Sequence, residues 1–166
     1  TNTTGVVNAA SVTTLTGAAG DVNTAYAAGV AGEISGLGNE AVTLSDTSLA
    51  ASVLNTLNTN TTGVVNAASV TTLTGAAADV STAYAAGSSQ ISGLGNEAVT
   101  LSDTSAAADA IVAIDAATSG SIDAASVTTL TGAAADAISV FTSSGVSNLD
   151  GNEAVTLSDT SLAASV

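Results

Sequence analysis

The segment GNEAVTLSDTS stands at residues 38–48, again at 95–105 and again at 151–161 of a 166-residue chain. A second segment, AASVTTLTGAA, begins at Ala9, Ala67 and Ala124, so both recur with a period near 57 residues. A unit this short buries little by itself, so tandem copies are stable only when neighbours cover one another's apolar faces. Each segment contains a valine followed by a threonine. Val12, Val42, Val70, Val99, Val127 and Val155 precede Thr13, Thr43, Thr71, Thr100, Thr128 and Thr156. Aligned on these valines, the period divides into halves of about 28 residues, and the chain holds six of them.

Each half reads as a strand, a turn and a short helix. Stretches such as 69–73 and 98–101 combine Val, Thr and Leu, which suits a strand of a few residues. Thr16, Thr74 and Thr131, or Asp46, Asp103 and Asp159, then stand where the N-cap of the following helix belongs. Leu49, Val53 and Leu57 follow at a spacing of four, as do Ala18, Val22 and Tyr26, and Ala76, Val80 and Tyr84. That spacing puts one narrow apolar stripe on each helix. Gly, Asn, Ser and Thr at 36–39 and 58–63 mark return loops.

The expected fold is a right-handed α/β repeat solenoid of six coils of about 28 residues, each a short parallel strand plus a short Ala-rich helix. Parallel crossovers take that hand in nearly all folds. Residues 1–166 form a single array of three repeats, 1–58, 59–115 and 116–166. The six valines are expected to stack in one buried ladder. Tyr26, Tyr84 and Phe141, the only aromatics, each lie 14 residues beyond such a valine and read as core spacers.

Composition removes whole classes of function. Fourteen Asp and Glu face no Lys, Arg or His, a formal charge of -14. Phosphate backbones and anionic membranes are held through Lys and Arg, so neither nucleic acid nor a membrane surface is an expected partner. Without His, Cys or Lys the usual bases, thiol nucleophiles, Schiff-base amines and zinc ligands are missing, and no enzymatic activity is expected. The absence of Cys leaves the redox compartment unread. No apolar run approaches the roughly 18 residues that span a bilayer. The first residue is Thr1 and the chain has no Met, as expected for a processed or cropped piece of a longer protein.

Two features read as candidate sites. In a single ladder, Thr13, Thr43, Thr71, Thr100, Thr128 and Thr156 would form one outward file of hydroxyls and methyls, resembling the binding face of ice-binding solenoids and suited to ice, a mineral or a polysaccharide. Strand propensity explains the same threonines as well. Calcium is a candidate because hard cations prefer oxygen ligands, which stand at Asn39, Glu40 and Asp46 and at their copies Asn96, Glu97 and Asp103, and Asn152, Glu153 and Asp159. A strand separates the two halves of each set, and turn and cap roles account for the same residues. No cofactor or resident metal is therefore assigned, and a calcium-dependent surface scaffold stands as an alternative role. Residues 1–11 copy 59–69 and residues 162–166 copy 49–53, with no polar capping coil at either terminus. The expected partner is the chain itself, end to end or side by side.

The runs SVTTLTGAAADVSTAYA and GNEAVTLSDTSLAASVLNTL resemble the tandem repeats of very long secreted or cell-surface bacterial proteins, including those of marine cyanobacteria. The resemblance spans essentially the whole chain. It implies an extracellular or cell-surface structural and adhesive role as stalk, filament or surface layer. Some such proteins also carry calcium-binding RTX repeats, whose GGxGxD loops are absent here.

Overall fold

The computed structural model describes residues 3–162, within which helices and short strands alternate. In chain order these are β1 (Val7–Asn8), β2 (Thr14–Gly17), α1 (Ala19–Val30), β3 (Ile34–Ser35), β4 (Ala41–Leu44), β5 (Ser48–Ala50), α2 (Ala51–Asn60), β6 (Val65–Asn66), β7 (Thr72–Gly75), α3 (Ala77–Ala85), β8 (Ile91–Ser92), β9 (Ala98–Leu101), β10 (Ser105–Ala107), α4 (Ala108–Ala117), β11 (Ile122–Asp123), β12 (Thr129–Gly132), α5 (Ala134–Thr142), β13 (Val146–Ser147) and β14 (Ala154–Leu157). All strand pairings among the described residues are parallel, in the orders β1-β3, β2-β4-β6-β8, β5-β7-β9-β11-β13 and β10-β12-β14. The five helices pack in sequence, each against the next. Among the described residues no sheet closes into a barrel, and the arrangement is an α/β one compatible with a solenoid.

Helices of 9 to 12 residues are too short to persist alone, so burial of one face against the strands must hold them. Leu54 and Leu57 of α2 and Ile111 and Ile114 of α4 are fully buried, in one continuous core with Leu73, Leu101, Ile122 and Leu130. Alanine occupies the first buried position of most helices (Ala19, Ala51, Ala77, Ala108), where no larger side chain separates helix from strand. No helix among the described residues is long and apolar enough to cross a membrane.

The register corrects the single ladder of valines. Val42, Val99 and Val155 lie in strands, but their neighbours across the sheet are Leu15, Leu73 and Leu130. Val12, Val70 and Val127 sit three residues earlier, in a turn closed by a bond from each valine N–H to the carbonyl of Ala9, Ala67 or Ala124. Asn8, Asn66 and Asp123 shape that turn by accepting from the N–H of Ala10, Ala68 and Ala125 through their side chains. Such local side-chain bonding competes with the sheet and delays the strand until Thr14, Thr72 or Thr129.

Ladder partners therefore lie 23 to 27 positions apart, as in Val42 with Val65 or Leu15 with Val42, fewer than the 28 of the half-period. The row consequently slides through the repeat. Leu49, Leu73, Val99, Ile122 and Val146 stack in one line although they come from different parts of it. The helix stripe also shifts. Leu49 belongs to β5, Ala18 and Ala76 precede their helices, and the buried positions of α2 are Ala51, Leu54 and Leu57. The copied letters at 163–166 lie outside the described residues, as do Thr1 and Asn2.

Candidate functional site

The most elaborate side-chain clusters centre on two fully buried carboxylates, Glu40 and Glu97. Glu40 opens β4. Its Oε2 accepts from the Tyr26 hydroxyl of α1 (3.0 Å) and from the N–H groups of Gly38 (2.8 Å) and Asn39 (3.2 Å). Thr61, just past α2, donates through Oγ1 to the Glu40 carbonyl (2.6 Å) and accepts from the N–H of Gly63 (3.0 Å). The second copy repeats this with Tyr84, Glu97, Gly95, Asn96, Thr118 and Gly120 at matching distances. A Cβ on Gly63 or Gly120 would overlap the carbonyl of Glu40 or Glu97, so glycine lets one segment lie directly on the other.

Burial alone would raise the Glu40 carboxyl, but the donors converging on it outweigh that penalty and hold it below its ordinary value. Burial raises the Tyr26 hydroxyl, with the nearby Thr61 hydroxyl opposing and the Glu40 carboxylate adding to the rise. Tyr84 is raised in the same way, first by burial. These tyrosines are hydrogen-bond donors at neutral pH. Oε1 of each glutamate is buried without a protein partner.

These clusters answer part of the calcium expectation. Glu40 and Glu97 turn inward, and Oε2 of each accepts from neutral donors. Asp46, Asp103 and Asp159 accept from the N–H of Ala19 (2.8 Å), Ala77 (2.7 Å) and Ala134 (2.7 Å). No group of three or more His, Cys, Asp and Glu suited to a metal assembles among the described residues.

Those aspartate bonds also correct the expected capping. The N-cap positions are Ala18, Ala50, Ala76, Ala107 and Ala133, none with a side-chain cap bond, and Thr16, Thr74 and Thr131 are strand residues. Asp46 covers the start of α1, not of α2. Because Leu44 lies opposite Gly17, the residue two beyond it reaches the helix that begins two beyond Gly17.

The six threonines are all exposed but do not form one file. Thr43 lies between Thr16 and Asn66, Thr100 between Thr74 and Asp123, and Thr156 beside Thr131. Thr13, Thr71 and Thr128 precede the strands. Thr71 and Thr128 donate through Oγ1 to the carbonyls of Thr47 and Thr104. The outward rows thus mix Thr with Asn, Asp and Ser.

A cleft of roughly 330 Å³ beside α1 is bordered by Tyr26, Val30, Ile34, Leu37 and Asn60, with no convergent set of charged groups. Spacing alone marks Tyr26, Tyr84 and Phe141 as core spacers; the first two also bond Glu40 and Glu97, whereas Phe141 is exposed. The signal in the sequence is the joint recurrence of Tyr and GNE, 14 residues apart in the first repeat and 13 in the second, and the arrival of Phe141 with LDGNE in the third. Comparison with known proteins matches no protein-family model, no curated protein and no solved structure.

Proposed function

We infer that this chain is a structural and adhesive repeat, a right-handed α/β solenoid of six windings serving outside the cell as part of a stalk, filament or surface layer. The observation that carries this reading is the register: four parallel ladders that slide through the repeat, flanked by five helices packed in order. Its most ordered polar groups, the Tyr–Glu–Thr clusters, bond one winding to the next across 13 to 21 residues. Through Oε2 of each glutamate and the threonine hydroxyls they tie the stack together, while Oε1 of each glutamate has no protein partner. Extracellular placement rests on the resemblance of the repeats and on a surface free of cationic side chains. A threonine-based surface binder has less support, since the outward rows interleave other polar side chains. Small-angle X-ray scattering tests the reading. An elongated particle whose maximum dimension grows linearly as whole 57-residue repeats are added is expected, and a compact particle growing in all directions would sink it.

A further inference from the structure

The third repeat departs from the other two at one turn. Where residues 36–40 and 93–97 read Gly-Leu-Gly-Asn-Glu, residues 148–153 read Asn-Leu-Asp-Gly-Asn-Glu, with one residue inserted. Both flanks of the insertion keep their places. Leu149 packs against the core as Leu37 and Leu94 do, and Asn148 takes up, at φ 64°, the left-handed backbone that Gly36 and Gly93 adopt at 84° and 87°. The extra residue, Asp150, is therefore pushed out to the surface, and it creates the only Asp-Gly step in the chain.

The inserted carboxyl meets an arrangement that the other copies use to hold the fold. In all three, a glycine N–H donates to Oε2 of the glutamate two residues on: Gly38 to Glu40 (2.8 Å), Gly95 to Glu97 (2.8 Å) and Gly151 to Glu153 (3.0 Å). In the first two a tyrosine hydroxyl shares that oxygen, and a leucine precedes the glycine. In the third the aromatic is Phe141, which brings no hydroxyl, and Asp150 precedes the glycine. Asp150 N–H donates to Glu153 Oε1 (2.8 Å), and Asp150 Oδ1 accepts from the Asn152 N–H (2.9 Å). The Gly151 nitrogen thus has a carboxylate on its proton and, one residue back, a carboxyl group held by a second N–H.

We propose that Asp150 and Gly151 form a self-modifying step, in which the Gly151 nitrogen closes on the Asp150 carboxyl with Glu153 as general base, giving a succinimide and then an isoaspartate. With Asp150 in its acid form, the nitrogen attacks Cγ, the N–Cγ bond of a five-membered ring forms, and the nitrogen's proton passes to Glu153 Oε2. Their separation of 3.0 Å allows that transfer directly. The Asn152 N–H stabilises the negative charge developing on Oδ1. The bond from Cγ to the hydroxyl then breaks, the proton returns from Glu153 to the departing hydroxyl, and one water leaves. A second water opens the ring. Attack at Cγ restores Asp150. Attack at the Asp150 main-chain carbonyl carbon breaks its bond to the Gly151 nitrogen, and the chain then runs through the side-chain carbon, one carbon longer just ahead of β14. Gly151 has no Cβ to shield its nitrogen, and nothing stands within 4 Å of where one would be.

Ageing the whole chain in buffer tests the step, with peptide mass spectrometry reading the loss of one water and enzymatic methylation of isoaspartate reading the product. Product is expected at residue 150 ahead of every other aspartate, and faster in the folded chain than in the same chain unfolded in guanidinium chloride. Glu153→Gln keeps an acceptor for one of the two N–H groups but supplies no base. It is expected to slow the reaction about tenfold or more, with circular dichroism and melting unchanged. Asp150→Glu, whose ring would have six members, serves as the site control and is expected to give no product there. Equal or faster reaction in the unfolded chain, or a Glu153→Gln chain that reacts at the native rate, would overturn the assignment.

Discussion

The three copies of GNEAVTLSDTS share every letter and differ in environment. Val42 and Val99, in the middle of the array, are 0% and 1% exposed, while Val155 at its end is 42% exposed. Glu40 and Glu97 are fully buried, each bonded to a tyrosine, whereas Glu153 is half-buried and accepts only from the N–H groups of Asp150 and Gly151. The aromatic of the third repeat is Phe141, exposed and without a hydroxyl to donate. The local sequence sets which face of the strand is apolar, but only the next winding makes that face a core.

The contrast predicts unequal effects at equivalent positions. Val99→Asp buries an unpaired charge and should cost about 3–5 kcal/mol in denaturant melts, while Val155→Asp should cost about 1 kcal/mol or less in the isolated chain. Equal losses would break the comparison. Glu97→Ala strands the Tyr84 hydroxyl and the N–H groups of Gly95 and Asn96, for an expected loss of about 2–3 kcal/mol. Glu153→Ala removes two exposed bonds and should stay within about 0.5 kcal/mol.

Acid sharpens the same contrast. The Glu40 carboxyl is lowered in the folded chain, so its contribution is complete above its unfolded value of about 4.3 and is lost as pH falls through the folded value. The stability gap between the native chain and Glu40→Gln should therefore be constant from pH 7 to about 5 and narrow below about pH 4. A gap that widens in acid would contradict the bonding described. The smallest effect is expected at the borrowed caps. Asp103→Ala should cost about 1 kcal/mol by freeing the N–H at the start of α3. An amide hydrogen-exchange increase confined to 77–80 would locate the loss on α3 rather than on α4.

Part of this architecture was legible in advance. Alternation of short β-branched segments with Ala-rich ones pointed to parallel strands and helices, and the period pointed to units that cover one another. Legibility failed on register. Six valines each followed by threonine aligned better as letters than Leu15 with Val42, yet the turn held by Asn8, Asn66 and Asp123 moves three of those valines off the strands. The caps failed for the same reason, since Asp46 serves a helix 27 residues before it and not the one that follows. The tyrosine–glutamate pairs were hidden because a lone glutamate in a Gly-Asn turn reads as solvated until a neighbouring winding covers it.

The sequence by itself determined that this chain folds as a repeating α/β array, because strand propensity, helical spacing and period are local properties of the letters. The tertiary structure alone decided which residues meet, which carboxylates are buried and which copy stays open. Those outcomes depend on the offset of 23 to 27 residues between windings, and that offset is set by turns and packing over distances no local pattern records.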